Sequence, residues 1–265
     1  MDLKKLCFDA QDIIRKTGKY IIRESKNFNT DKVESKGVHD FVSFVDKTAE
    51  QQLVSALKQL LPDAGFIAEE QTETYRSDKY NWVIDPLDGT TNFIHGLMPY
   101  AISVALMDGE NTVLGIVYEL SRSEMFYAWK GSKAYLNETE ISVTNTAKVQ
   151  DSLIATGFPY YDYDRLAQFM QTLDFFMRNS HGLRRLGSAA TDLVYVACGR
   201  FDAFYEYSLS PWDVAAGAFI VAQAGGKVCD FSGADNYIFG KEIIATNNNI
   251  YNEFLADIKR MMKHE

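Results

Sequence analysis

Trp82-Val83-Ile84-Asp85-Pro86-Leu87-Asp88-Gly89-Thr90-Thr91-Asn92-Phe93 joins an apolar run to an acidic turn. The run Trp82 to Ile84 predicts a buried strand. Pro86 keeps Asp85 out of the right-handed helical region, so the strand is expected to stop there. Asp85, the Leu87 carbonyl and Asp88 are then hard oxygen ligands gathered at a strand end, and such ligands suit Mg²⁺. Gly89 and Thr90 open the next segment, where orphan backbone N–H groups favour an anion. The same string also makes an ordinary turn, because Asp, Pro and Gly are common turn residues. Other carboxylates along the chain decide between these readings.

Upstream, Leu3, Leu6, Cys7, Ala10, Ile13, Ile14, Thr17 and Ile21 follow helical spacing and predict an amphipathic helix ending near Ser25. Residues 27–45 read as a polar loop and a short strand, with Lys36 beside Gly37 and His39 as a surface residue. A second helix is expected from Asp46 to about Leu61, with Ala49, Leu53, Leu57 and Leu60 on one face. Asp46 at its start satisfies backbone donors as an N-cap would. Phe66-Ile67-Ala68 is a short buried strand ending in Glu69-Glu70, one of which must turn inward. The segments 101–106, 112–118 and 124–129 are strands separated by turns at Asp108-Gly109 and Ser121-Arg122. This half reads as helices on a mostly antiparallel sheet.

The pattern changes after the polar stretch Thr144 to Lys148, which suggests two parts, 1–146 and 147–265. Strands are expected at 153–157, 184–187, 201–206 and 243–245. Helices are expected at 164–178, from the Ser188 cap to Cys198, from Ser210-Pro211 to Gly225, and from Ile250 to Met262. Such alternation indicates an α/β layer. In Trp212-Asp213-Val214-Ala215-Ala216-Gly217, Asp213 falls in a helix's first turn, where a carboxylate complements the dipole. The small residues after it let that helix approach another element, bringing a third carboxylate towards Asp85 and Asp88.

The 265 residues suffice for one large domain or two modest ones. A net charge of −9 argues against a basic nucleic-acid surface. It leaves room for an anionic substrate, since bound Mg²⁺ inverts the local charge. Cys7, Cys198 and Cys229 show no metal spacing and read as reduced thiols in a cytoplasm. The N-terminal stretch lacks the apolar region of a signal peptide. No run approaches the roughly 18 apolar residues of a membrane span.

Glu69-Glu70 after a strand, the Asp85 to Phe93 string and Trp212 to Gly217, in this order and spacing, resemble the inositol monophosphatase family. The resemblance spans nearly the whole chain. It implies an α+β fold, a layered α-β-α-β-α sandwich of the inositol monophosphatase and fructose-1,6-bisphosphatase type, usually a homodimer. It implies two or three Mg²⁺ ions held by Glu69, Asp85, the Leu87 carbonyl, Asp88 and Asp213, and inhibition by Li⁺. Glu70 resembles an organiser of the attacking water. Asp46 and Thr90 resemble a pair in which the carboxylate orients the hydroxyl that activates that water. The Gly89 and Thr90 amides look like phosphate donors. Ser188, Ala189 and Glu206 match positions that hold a polyol, with Asp213 also facing the substrate and Glu206 accepting from a ring hydroxyl. Lys36 aligns with a lysine that closes over the site, in a loop one residue shorter than the family's. Val45 stands where a threonine often precedes the aspartate.

The implied reaction is Mg²⁺-dependent hydrolysis of a small polyol phosphate, foremost myo-inositol 1-phosphate. Alternatives within the superfamily are phosphatases for 3′-phosphoadenosine 5′-phosphate, fructose 1,6-bisphosphate and histidinol phosphate. A regulatory or binding protein that keeps the fold without turnover is a reading of another class.

Overall fold

The computed structural model describes residues 1–26, 33–37, 40–159 and 162–263, with the backbone alone at 33–37 and 40–43. His39 lies outside the described residues, as does the side chain of Lys36.

Helix α1 (Leu3–Ser25) begins where the Asp2 carboxylate accepts from the Lys5 amide at 3.0 Å. Its predicted stripe is buried at Leu6, Cys7, Ala10, Ile14 and Ile21. A hairpin of β1 (Val33–Gly37) and β2 (Asp40–Ser43) leads into α2 (Phe44–Leu60). That helix starts two residues before Asp46, so Asp46 lies in its first turn. Seven strands then form one sheet in chain order. They are β3 (Gly65–Ala68), β4 (Tyr80–Asp88), β5 (Ala101–Asp108), β6 (Asn111–Glu119), β7 (Glu124–Trp129), β8 (Ala134–Leu136) and β9 (Thr139–Ile141). Only the β3–β4 pair is parallel. A short helix, α3 (Thr90–Ile94), follows β4.

The expectation that β4 stops at Asp85 is corrected. The strand runs to Asp88, pairing Asp85 with Ser103 and Asp88 with Ala101 across a bulge. Proline pushes the preceding residue towards extended backbone, which suits a strand. It is tolerated here because pairing with β3 ends at Ile84, leaving Pro86 without a neighbour on that side. Strands β8 and β9 were not legible, being three residues each, too short to show an alternation.

The second sheet has the order β11-β10-β12-β14-β13, from β10 (Leu153–Thr156), β11 (Gly182–Arg184), β12 (Ala203–Tyr207), β13 (Lys227–Cys229) and β14 (Glu242–Thr246). Its helices are α4 (Leu166–Asn179), α5 (Ala189–Ala197), α6 (Pro211–Gln223) and α7 (Tyr251–Met261). The strand expected at 184–187 lies at 182–184 instead, because pairing with β10 is used up at Arg184 and the chain turns towards α5.

Strand alternation builds five layers. Trp82 and Ile84 face α1 and α2, whereas Val83 between them faces α5 and α6. Phe204 and Ala245 cover the other side of α5 and α6. Ala203, Tyr205 and Tyr207 point outward to Phe169 and Phe176 of α4 and to Phe254 of α7. The order is α-β-α-β-α, as the resemblance implied. Small residues set the spacing of the middle layer. Gly115 of β6 lies against the backbone of Ala216, and Gly217 lies against Leu193.

A Cβ on Gly115 would fall 2.7 Å from the Ala216 carbonyl oxygen, an atom that cannot swing aside. Gly115→Ala is therefore expected to destabilise the fold by about 1–3 kcal/mol, as overpacking does. Urea denaturation measures it, and an unchanged midpoint would show that α6 has freedom to move.

Candidate active site

The bulged end of β4 opens into a cavity of about 360 Å³. Its walls come from both sheets: Glu69 after β3, Asp85 and Asp88 on β4, Thr90 on α3, Glu206 on β12 and Asp213 on α6. Glu206 is there because it alternates with Tyr205 and Tyr207 and so shares the inward face of Phe204. The bulge turns both Asp85 and Asp88 to the same place. Oxygens of Asp85, Asp88 and Asp213 lie within 4.8 Å of one another.

Neighbouring groups hold each acid in position. The Leu87 amide donates to Asp85 Oδ1 at 2.8 Å. The Ser188 hydroxyl and the Ala190 amide donate to Asp88 Oδ2 at 2.6 and 2.7 Å. The Ser210 amide donates to Asp213 Oδ2 at 2.7 Å, so Asp213 caps its helix and faces the cavity as well. Gly89 precedes α3 with φ of 92°, a left-handed conformation natural to glycine. Gly89, Thr90 and Thr91 line the cavity at the helix start, where amides lack intrahelical acceptors. Leu87 also lines it.

Three of the singled-out residues stand behind this lining. Asp46 is buried and accepts from the Thr90 hydroxyl at 2.9 Å, across 44 residues of sequence. The same hydroxyl lies 2.9 Å from the Leu87 carbonyl oxygen. Ser188 is buried, and its hydroxyl is directed to Asp88. Glu70 lies between Glu69 and Gln71 of the lining without being part of it, its amide donating to Glu50 Oε2 at 2.7 Å. Ala189 is in the wall beside Gly187.

Sequence reading missed several groups. Buried Glu50 also accepts from the Thr72 amide and hydroxyl, both at 2.8 Å, and so ties down the turn carrying Glu69 and Glu70. Its signal was present: it lies four residues after Asp46, on the helix face that carries the core. Asn92 donates to the carbonyls of Pro99 and Leu186 at 2.8 Å each, joining the two halves beside the cavity. Asp192, on α5, is buried, and its Oδ1 has no hydrogen-bond partner among the described residues. Nothing in its spacing distinguishes it from a solvated helix acid.

Crowding of acids marks the electrostatics. Burial, then the charges of Glu69, Asp88 and Asp213, hold the Asp85 carboxyl well above the usual range. Burial pushes Asp88 up to about 6 against the hydrogen bonds it accepts, and burial with the Asp88 charge pushes Asp213 up to about 7. Burial also raises Glu206, with Asp213 adding to the shift and Arg185 opposing it. These oxygen donors fit a hard divalent cation, whose charge would offset both the cost of burying them and their repulsion.

The five layers and the acidic cavity at the bulged strand place the protein among the phosphatase-type α-β-α-β-α sandwiches. The inositol monophosphatase family matches residues 2–263, and the chain belongs to that family. It is 39% identical over 249 residues to Nus factor SuhB of Escherichia coli K12, covering 92% of each chain. The structure of extragenic suppressor protein suhB from Bartonella henselae superposes with a TM-score of 0.89 at 36% identity, covering 94% of this chain and 96% of that one. A Thermotoga maritima IMPase superposes with a TM-score of 0.86 at 33% identity, covering 97% and 98%. No helix among the described residues is long and apolar enough to cross a membrane.

A carboxyl whose folded pKa is raised binds more protons in the fold than in the unfolded chain, so stability falls as pH rises between the two pKa values. Metal-free protein is therefore expected to lose melting temperature from about pH 4, the unfolded Asp value, to about pH 7, the Asp213 value. Added Mg²⁺ should restore most of the loss at the upper end. Melts with chelator and with Mg²⁺ across this range test it; a flat profile in chelator would contradict the crowding.

Proposed function

We propose that the chain is a Mg²⁺-dependent phosphomonoesterase acting on a small polyol phosphate, with myo-inositol 1-phosphate the leading substrate. The carrying observation is the trio Asp85, Asp88 and Asp213, oxygens within 4.8 Å, beside the opening of α3. Glu69, Asp85, the Leu87 carbonyl, Asp88 and Asp213 would hold two or three Mg²⁺ ions. When bound, the cations lower the pKa of water and offset charge on the phosphoryl and leaving oxygens.

The remaining work falls to the chain's own groups. The Gly89 and Thr90 amides orient the phosphate. The Thr90 hydroxyl has one proton and two acceptors at 2.9 Å, Asp46 and the Leu87 carbonyl. Asp46, as the carboxylate of the two, is the stronger acceptor for that proton. Thr90 Oγ1 then presents lone pairs to the attacking water and removes one of its orientations. Glu70 accepts from the same water, on a turn that Glu50 keeps rigid. Glu206 accepts from a substrate hydroxyl, Ala189 leaves room for the ring, and Asp213 faces it beside the cations. Ser188 supports the reaction through its bond to Asp88.

Phosphate release from myo-inositol 1-phosphate, 3′-phosphoadenosine 5′-phosphate, fructose 1,6-bisphosphate and histidinol phosphate, with Mg²⁺, chelator or Li⁺, tests the reading. We expect Mg²⁺-dependent release, greatest with the inositol ester and suppressed by Li⁺. Another preferred ester would replace the substrate and keep the site. No release from any of them would overturn the phosphatase assignment. Asp88→Asn should lower turnover at least about 100-fold, the order of one lost stabilising group. It should leave the melting temperature of metal-free protein unchanged or higher, because it removes a crowded charge; retained turnover would remove Asp88 from the ligand set.

A second reading rests on the name Nus factor carried by the Escherichia coli relative. On that reading the chain also docks on a transcription-factor partner. Asp88→Asn separates the roles: it should abolish phosphate release and leave such an association intact.

A further inference from the structure

Glu206 owes its position to a residue that contributes no side chain. Strands β10 and β12 run parallel with Thr156 opposite Tyr205, so Gly157 comes alongside Glu206. The Thr156 hydroxyl donates to the Tyr205 carbonyl at 2.7 Å and staples the two strands at this point. On the other side of β12, Glu206 pairs with Ile243 of β14. Both backbones are therefore fixed. The Glu206 carboxylate lies directly over the Gly157 Cα: a Cβ there would overlap Cδ, Oε1 and Oε2 together. Gly157 is buried, and its φ lies outside the left-handed region. Backbone conformation gives no reason for glycine; the space taken by the carboxylate does. The next residue, Phe158, is exposed in the cavity wall with the Arg185 guanidinium 5.3 Å from its ring centroid.

We propose that Gly157 is a specificity-positioning residue: its bare Cα is the shelf on which the Glu206 carboxylate rests, aimed at the hydroxyl-bearing part of the substrate. The inference rests on the reading above in which Glu206 accepts from a polyol hydroxyl. Any side chain at 157 forces Glu206 to rotate, because neither strand can yield. The phosphate end of the cavity, built on Gly89, Thr90 and the acids of β4, is untouched by that rotation. Selectivity for a polyol and the power to hydrolyse a phosphate ester are thus set by different parts of the chain.

The test compares wild type, Gly157→Ala, Glu206→Gln and the double variant on myo-inositol 1-phosphate and on p-nitrophenyl phosphate, which has no polyol. Gly157→Ala and Glu206→Gln should each raise KM for the inositol ester about tenfold, the effect of one lost charge-assisted hydrogen bond. In Gly157→Ala, kcat for the aryl ester should stay within about twofold, since no interaction made with that ester is removed. The double variant should match either single one, because one residue acts through the other. An unchanged inositol-ester KM in Gly157→Ala, equal loss on both esters, or additive effects would overturn the proposal. Thermal melts test the contact without turnover. Gly157→Ala should destabilise the wild-type chain and cost little in a Glu206→Ala background; equal cost in both backgrounds would show that the shelf does not exist. A wild type that hydrolyses neither ester would refute the phosphatase reading, while the melts would still decide the contact.

Discussion

The burial of several carboxylates in one cavity, with their repulsion added, is the constraint to which the structure answers. Asp85, Asp88 and Asp213 are brought within 4.8 Å at the end of a sheet, and Glu69 and Glu206 share the cavity. Without compensation such a cluster opposes the compact state: burial pushes Asp88 up to about 6, and burial with the Asp88 charge pushes Asp213 up to about 7. A fold tolerates this only where the surrounding scaffold is rigid and where binding a cation repays the cost. The five-layer sandwich meets the first requirement, since two sheets and the helices between them are all fastened to the cavity walls.

Rigidity at the site comes from neutral donors as much as from packing. Amides of Leu87, Ala190 and Ser210 each hold one oxygen of an acid, and the Ser188 hydroxyl holds the same Asp88 oxygen as Ala190. The other carboxyl oxygens are left for the cavity. Glu50 does the same service in reverse, acting as an acceptor for the turn after β3. Asn92 binds carbonyls from both sides of the cavity. These bonds orient ligands before any ion arrives, so less ordering is left to binding.

Small residues fulfil a complementary role. Gly115 and Gly217 let α6 settle between the sheets, and that settling carries Asp213 to Asp85 and Asp88. Gly157 removes a side chain where the Glu206 carboxylate must lie. The site thus depends on absent atoms at three positions, none of which has chemistry of its own. The bulge in β4 completes the set, since regular alternation would have put Asp85 and Asp88 on opposite faces of the sheet.

Periodicity along the chain determined α1, α2 and the long strands, and the short acidic strings marked Glu69, Asp85, Asp88 and Asp213. Those signals are local: a 3.6-residue stripe, an apolar run, a cap, a turn. The strand through Pro86 was misjudged because a proline's effect depends on which neighbour needs its missing N–H, and β3 had already ended. Strands β8 and β9 escaped because three residues are too few to carry a period. Glu50, Asp192, Asn92 and Gly157 gained their meaning only from partners 7 to 104 positions away or from the space beside them. Sequence by itself determined which residue types were available for metal and phosphate chemistry and where the elements begin. Tertiary structure alone decided which acids share a cavity, which support others and which glycine makes room, because those relations are distances between segments, and a linear order does not contain them.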